Sequence, residues 1–160
     1  MNTPAVNWAI LGCGVFARKR LLPAFAKTAH ARLVALQRRD LAAAQATALE
    51  AGVPKAYATR DELLADPEVQ AVFVATPNHL HLEDVRAAAA AGKHVLVEKP
   101  MGLSSAECAR MLVAAKASGV QLFVGHCFRF THAVEQTRAL LAGGRLGPLR
   151  SVRCWYTFLN

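Results

Sequence analysis

The sequence predicts an α/β fold, a doubly wound parallel sheet with helices on both faces. Three observations predict it. Short apolar segments alternate with helical patterns, glycines follow most of the helical patterns, and a glycine-rich turn joins the first strand to the first helix. Right-handed crossovers between successive parallel strands then place helices on both sides of the sheet.

Residues 5–11 (AVNWAIL) are short, apolar and followed by glycines, the pattern of a buried strand. Residues 15–27 carry Phe16, Leu21, Ala24 and Phe25 at helical spacing, and Pro23 should kink or interrupt that helix. A second strand covers 33–37, and an alanine-rich helix over 41–51 closes at Gly52. Residues 55–58 suit a short third strand, and 59–65 a short helix started by Thr59 or Asp61. Residues 70–75 (QAVFVA) form a continuous apolar run, as expected of a parallel strand buried on both faces. A helix over 80–91 ends at Gly92, and a strand covers 94–97. Ser104 and Glu107 have capping-box spacing at the start of a helix over 104–118, which Gly119 stops. A strand over 120–124 and a helix over 132–141, closed by Gly143 and Gly144, follow. Residues 149–159 are rich in β-branched and aromatic types and read as a last strand. The expected organisation is a nucleotide-binding domain over 1–125. A connecting helix and the first strand of a second, truncated α/β domain then occupy 126–160.

Composition excludes several function classes. The chain has 160 residues, 54% hydrophobic and 19% charged, so it is not a disordered segment. No apolar run approaches the ~20 residues that span a bilayer, so no membrane role is expected. The first residues lack the basic stretch of a signal peptide. Cys13, Cys108, Cys127 and Cys154 are irregularly spaced, which supports neither a disulfide framework nor a zinc site. Reduced thiols in a cytoplasmic protein are the expectation. The net charge of +8 is dispersed over Arg18 to Arg20, Arg38 and Arg39, and Arg145 to Arg153. No helix carries a basic stripe, so no nucleic-acid partner is expected. His79 and His81 are two positions apart and cannot share a helical face, which disfavours a metal site.

Four segments carry chemistry. Gly12-Cys13-Gly14-Val15-Phe16-Ala17 is a G-x-G-x-x-A between the first strand and the first helix, the context of a dinucleotide turn. Gly12 permits the tight turn, Gly14 lets a pyrophosphate approach the backbone, and Ala17 allows close helix–strand packing. In such sites an acidic residue roughly 20 positions after the glycines binds the adenosine ribose. Arg38 stands there instead, followed by Arg39, and a guanidinium pairs with a 2′-phosphate, so NADP is preferred over NAD. Asp40 is the competing ribose contact, although it suits an N-cap of the next helix. The third segment is Thr76-Pro77-Asn78-His79-Leu80-His81, at the carboxyl end of the fourth strand, where open α/β sheets bind ligands. The fourth is Glu98-Lys99-Pro100, ending the fifth strand. Lys99 there could bond a ribose or substrate hydroxyl, with Glu98 orienting it. A glycine turn, solvated arginines and a surface ion pair are the plain structural alternatives.

Together these segments, with Val124-Gly125-His126-Cys127-Phe128-Arg129-Phe130, resemble the glucose–fructose oxidoreductase, inositol dehydrogenase and MocA family, whose pattern is G-x-G-x-x-A, T-P-N-x-x-H, E-K-P and V-G-x-x-x-R-F. The resemblance implies a Rossmann-type domain for NADP or NAD. By it, Gly12, Gly14, Val15 and Phe16 meet the pyrophosphate, and Arg38 and Arg39 the adenosine end. Thr76, Pro77, Asn78 and His81 line the cofactor path. Glu98 and Lys99 approach the nicotinamide ribose, Lys99 acts in catalysis, and His126 and Arg129 lie near the nicotinamide. It further implies hydride transfer at a hydroxyl carbon of a polyol or sugar substrate, and a homo-oligomer for a full-length relative. Family members are more than twice as long, so the 160-residue chain alone is expected to be catalytically incomplete. A non-catalytic NADP-binding or sensor protein is the alternative.

Overall fold

A computed structural model describes residues 4–155. The chain divides at Gly125 into two compact units. The first holds six parallel strands: β1 (Val6–Leu11), β2 (Ala31–Gln37), β3 (Lys55–Tyr57), β4 (Ala71–Val74), β5 (His94–Val97) and β6 (Leu122–Val124). Their order across the sheet is β3-β2-β1-β4-β5-β6. The order reverses between β1 and β4, so the crevice for a ligand opens above the carboxyl ends of those two strands.

Five α-helices accompany the sheet: α1 (Leu22–Phe25), α2 (Leu41–Ala51), α3 (Arg60–Ala65), α4 (His81–Ala90) and α5 (Ser105–Ala117). Alternation along each strand divides the core into two layers. Ile10, Leu36 and Phe73 pack with Ala17, Leu21, Ala44 and Ala48 on the α1–α2 side. Ala9, Leu11, Ala35, Val72 and Val74 pack with Leu63, Leu82, Val85, Ala88 and Met111 on the α3–α5 side. Val34 joins Ala35 in that second layer, because the β1–β2 register shifts and pairs Trp8 with Leu33 but Ala9 with Ala35.

The interruption expected at Pro23 appears just before it. Residues Ala17–Leu21 form a π turn, and the Leu22 N–H reaches back to the Ala17 carbonyl. Pro23 cannot donate to Lys19, and its ring crowds that carbonyl, which favours the wider turn. Helical structure ends at Phe25, where the Phe25 ring lies 6.0 Å from that of Trp8. Thr59, not Asp61, caps α3 and forms a complete capping box with Glu62. Ser104 caps α5, but the Glu107 carboxylate accepts from Leu103 N rather than from the cap residue itself.

The second unit holds a 3₁₀ turn, Cys127–Phe130, and the helix α6 (His132–Ala142). The strand expected over 149–159 does not form over its described part. Residues 149–155 have no regular structure, and Leu149, Val152 and Trp155 are exposed. Residues 156–160 of that segment lie outside the described residues. A strand needs a ladder partner, and no strand of the second unit's described residues supplies one.

Candidate cofactor site

A cleft of about 890 Å³ lies at the switch between β1 and β4. The turn after β1 contributes Gly12, Cys13 and Gly14, and the end of β2 contributes Gln37, Arg38, Arg39 and Asp40. Thr76, Pro77, His79 and Leu80 follow β4, while Arg60 and Asp84 come from the first turns of α3 and α4.

The glycine turn fits a pyrophosphate on two counts. Gly12 has φ of +85°, and a Cβ there would lie 2.7 Å from the Thr76 backbone nitrogen, so only glycine suits the position. A Cβ on Gly14 would meet nothing within 4 Å, leaving its backbone open to a ligand. Gln37 supports the turn from β2. Its side-chain oxygen accepts from Gly12 N at 3.2 Å, and its amide donates to Ala58 O at 2.7 Å. Val15 and Phe16, expected at the pyrophosphate, are exposed at the helix start and do not line this cleft.

At the end of β2, one arm of the Arg38 guanidinium donates to Ala43 O at 3.1 Å and Thr47 Oγ1 at 2.9 Å. This ties Arg38 to α2, and no other described residue takes its remaining N–H groups. Arg39 is exposed on the cleft wall. Asp40 caps α2, accepting from Ala43 N at 3.0 Å, which commits one of its oxygens to the fold. Burial pushes the Cys13 thiol up against the pull of Arg38 and Arg18, so it stays neutral beside the turn.

His81 does not line the cleft, contrary to expectation. It is fully buried, and its ring sits 2.9 Å from Pro100 O and 3.0 Å from Thr76 O. It ties the two loops together from beneath, because α4 begins at His81 and points its first turn into the core. Asn78 is exposed in the 3₁₀ turn Asn78–Leu80 and lies outside the cleft lining. Lys99 is exposed at the same carboxyl edge, past the end of β5, and its Nζ has no hydrogen bond or ion pair among the described residues. Glu98 does not orient the lysine side chain. Its carboxylate accepts from the Lys99 backbone N–H at 3.0 Å, and its other oxygen faces Gly125. The Lys99–Pro100 peptide is cis. His126 and Arg129 belong to the second unit, where the Arg129 N–H bonds the His126 carbonyl at 3.0 Å.

Sequence reasoning overlooked Gln37, Arg60 and Asp84. Two of them left a signal. Gln37 ends an apolar strand with an amide, and Asp84 sits on the apolar face of α4 with His81, Val85 and Ala88. Asp84 accepts from Thr76 Oγ1 at 2.7 Å and from Arg60 Nη1 at 3.4 Å.

Residues 6–126 match an oxidoreductase family with an NAD-binding Rossmann fold, GFO_IDH_MocA. The chain belongs to that family. Mouse trans-1,2-dihydrobenzene-1,2-diol dehydrogenase is 36% identical over 156 residues, which cover 96% of this chain and 46% of the relative. The crystal structure of an aldose-aldose oxidoreductase from Caulobacter crescentus, complexed with glycerol, superposes with a TM-score of 0.84 at 37% identity. That match covers 91% of this chain and 45% of that one. A 3-ketoreductase from Actinomadura kijaniata, solved with NADP, superposes with a TM-score of 0.80 at 28% identity, over 89% of this chain and 45% of that one. The chain therefore spans about half the length of the relatives it matches. Among the described residues no helix is long and apolar enough to cross a membrane, and no cluster of histidine, cysteine and carboxylate side chains could hold a metal.

Proposed function

We propose that this chain is the cofactor-binding part of an NADP-preferring oxidoreductase acting at a hydroxyl carbon of a sugar, cyclitol or related compound. The observation that carries the cofactor reading is the pair of arginines at the end of β2, on the wall of the cleft above the glycine turn. Arg38 is pre-set by its bonds to α2, so its remaining N–H groups are available to an anion at low entropic cost. Asp40, the alternative ribose reader, is already engaged as an N-cap.

Gly12 and Gly14 would receive the pyrophosphate, and Arg38 and Arg39 the 2′-phosphate. The bound nicotinamide cofactor supplies the hydride chemistry, and the protein supplies position and electrostatics. Lys99, without a carboxylate partner among the described residues, suits a hydrogen bond to a ribose or substrate hydroxyl and the movement of its proton. The substrate class rests on family membership and on the relatives' names, an aldose oxidoreductase among them. His126 and Arg129 are proposed nearer the nicotinamide, and the full-length protein is proposed to be a homo-oligomer.

Calorimetry with NADP and NAD on the wild type, Arg38→Ala and Arg39→Ala tests the cofactor reading. The expected result is tighter NADP binding, with the preference reduced in the variants. A ratio of affinities that neither substitution changes would reduce both arginines to solvated charges. Turnover of a polyol and sugar panel with NADP tests the substrate class.

A further inference from the structure

We propose that Arg60 is a cofactor-binding residue that stacks on the adenine ring, on the opposite side from Arg38. This inference rests on the dinucleotide reading of the cleft. Arg38 is bonded to α2, whose Ala44 and Ala48 pack on one face of the sheet. Arg60 begins α3, whose Leu63 packs on the other face, and it is bonded to Asp84 of α4 in that same layer. Both arginines nevertheless line one cleft. A flat ring entering from solvent between the two layers presents one face to each guanidinium. Planar guanidinium groups stack on aromatic faces, and the plane is held best where another group fixes its orientation.

Asp84 provides that fixation. Asp84 is buried, its side chain 9% exposed, and the oxygen not facing Arg60 accepts from Thr76 Oγ1 at 2.7 Å. Thr76 is the residue that packs on Gly12, so Arg60 is anchored to the frame that holds the pyrophosphate turn. Arg60 also bonds Asp61 Oδ1 at 3.0 Å, and its side chain remains 37% exposed. Arg60 is also one of the residues that line the cleft. Asp84 is a positioning residue here, acting through Arg60 and Thr76.

Calorimetric titration of NADP, NAD and AMP into the wild type, Arg60→Ala, Arg60→Gln and Arg38→Ala tests the proposal, with thermal melting of each variant as a check on folding. The expected result is a loss of about threefold to tenfold in affinity for all three ligands in both Arg60 variants. Arg60→Gln can still bond Asp84, so it decides the matter if the alanine variant fails to fold. Arg38→Ala should in addition lower the preference for NADP over NAD. A loss confined to NADP would make Arg60 a 2′-phosphate reader and overturn the stacking role. Unchanged affinities in folded Arg60 variants, with Arg38→Ala impaired, would overturn the proposal and leave the dinucleotide reading standing. A wild type that binds none of the three ligands would remove both.

Discussion

Gly12 and Thr76 touch backbone to backbone across the switch in the sheet, so closely that a Cβ on Gly12 would stand 2.7 Å from both the Thr76 nitrogen and its methyl group. The turn after β1 and the loop after β4 are thereby built against each other. Gly12→Ala should destabilise the domain by roughly 2–5 kcal/mol, combining left-handed strain with overpacking against backbone. Urea denaturation would show it as a lower midpoint at unchanged slope. A midpoint equal to the wild type would mean that the two loops can separate freely.

Gly14 makes the contrasting case. A Cβ there meets nothing within 4 Å, so Gly14→Val should leave the melting temperature nearly unchanged. It should nevertheless weaken NADP and NAD alike, on the order of tenfold or more, because the branched side chain would stand where a pyrophosphate approaches. Calorimetry paired with melting separates the two effects, and undiminished affinity in the folded variant would remove this turn from the site.

The two ring nitrogens of His81 face carbonyls of two site loops from inside the core, at 2.9 Å and 3.0 Å. His81→Leu keeps the apolar bulk but removes both ring nitrogens, and with them the N–H that the ring donates to one of these carbonyls, a loss of roughly 1–3 kcal/mol. Amide hydrogen exchange should report faster opening of both the 75–80 and the 98–102 segments in the variant. Exchange that rises in only one of them would show that the ring does not join the loops.

Stability should fall in acid through a network beside the amino ends of β3 and β4. Burial of Asp66 opposes ionisation, but the Lys55 ammonium, the Glu68 N–H and the Tyr57 hydroxyl outweigh it and hold its carboxyl below the usual range. The Glu68 carboxyl is likewise lowered, by Lys55 first and then by Arg32. Groups lowered in the folded state contribute stability above their unfolded pKa values, about 3.9 and 4.3, and lose it as pH falls through the lower folded values. Thermal melting between pH 7 and pH 2.5 should therefore show a decline that Asp66→Asn makes shallower, while lowering stability at pH 7. Parallel curves for the two proteins would exclude Asp66 from the acid response.

The sequence by itself determined the alternation of strands and helices, the glycine turn and the arginines that follow β2. Those signals are local: a period along the chain, a glycine that only φ above zero requires, a charge at the end of an apolar run. Only the tertiary structure decided which of these residues share a cleft. Arg60 and Asp84 are 24 positions apart, and Gln37 reaches Gly12 across 25. Their roles depend on β1 lying between β2 and β4, which no local pattern states. His81 is expected on the cofactor path, but the first turn of α4 carries it into the core between two carbonyls. The apolar, alternating segment over 149–159 has strand composition, yet 149–155 remain irregular. Strand propensity describes how well a residue fits a pleated surface, and a strand exists only where a neighbour completes its hydrogen bonds.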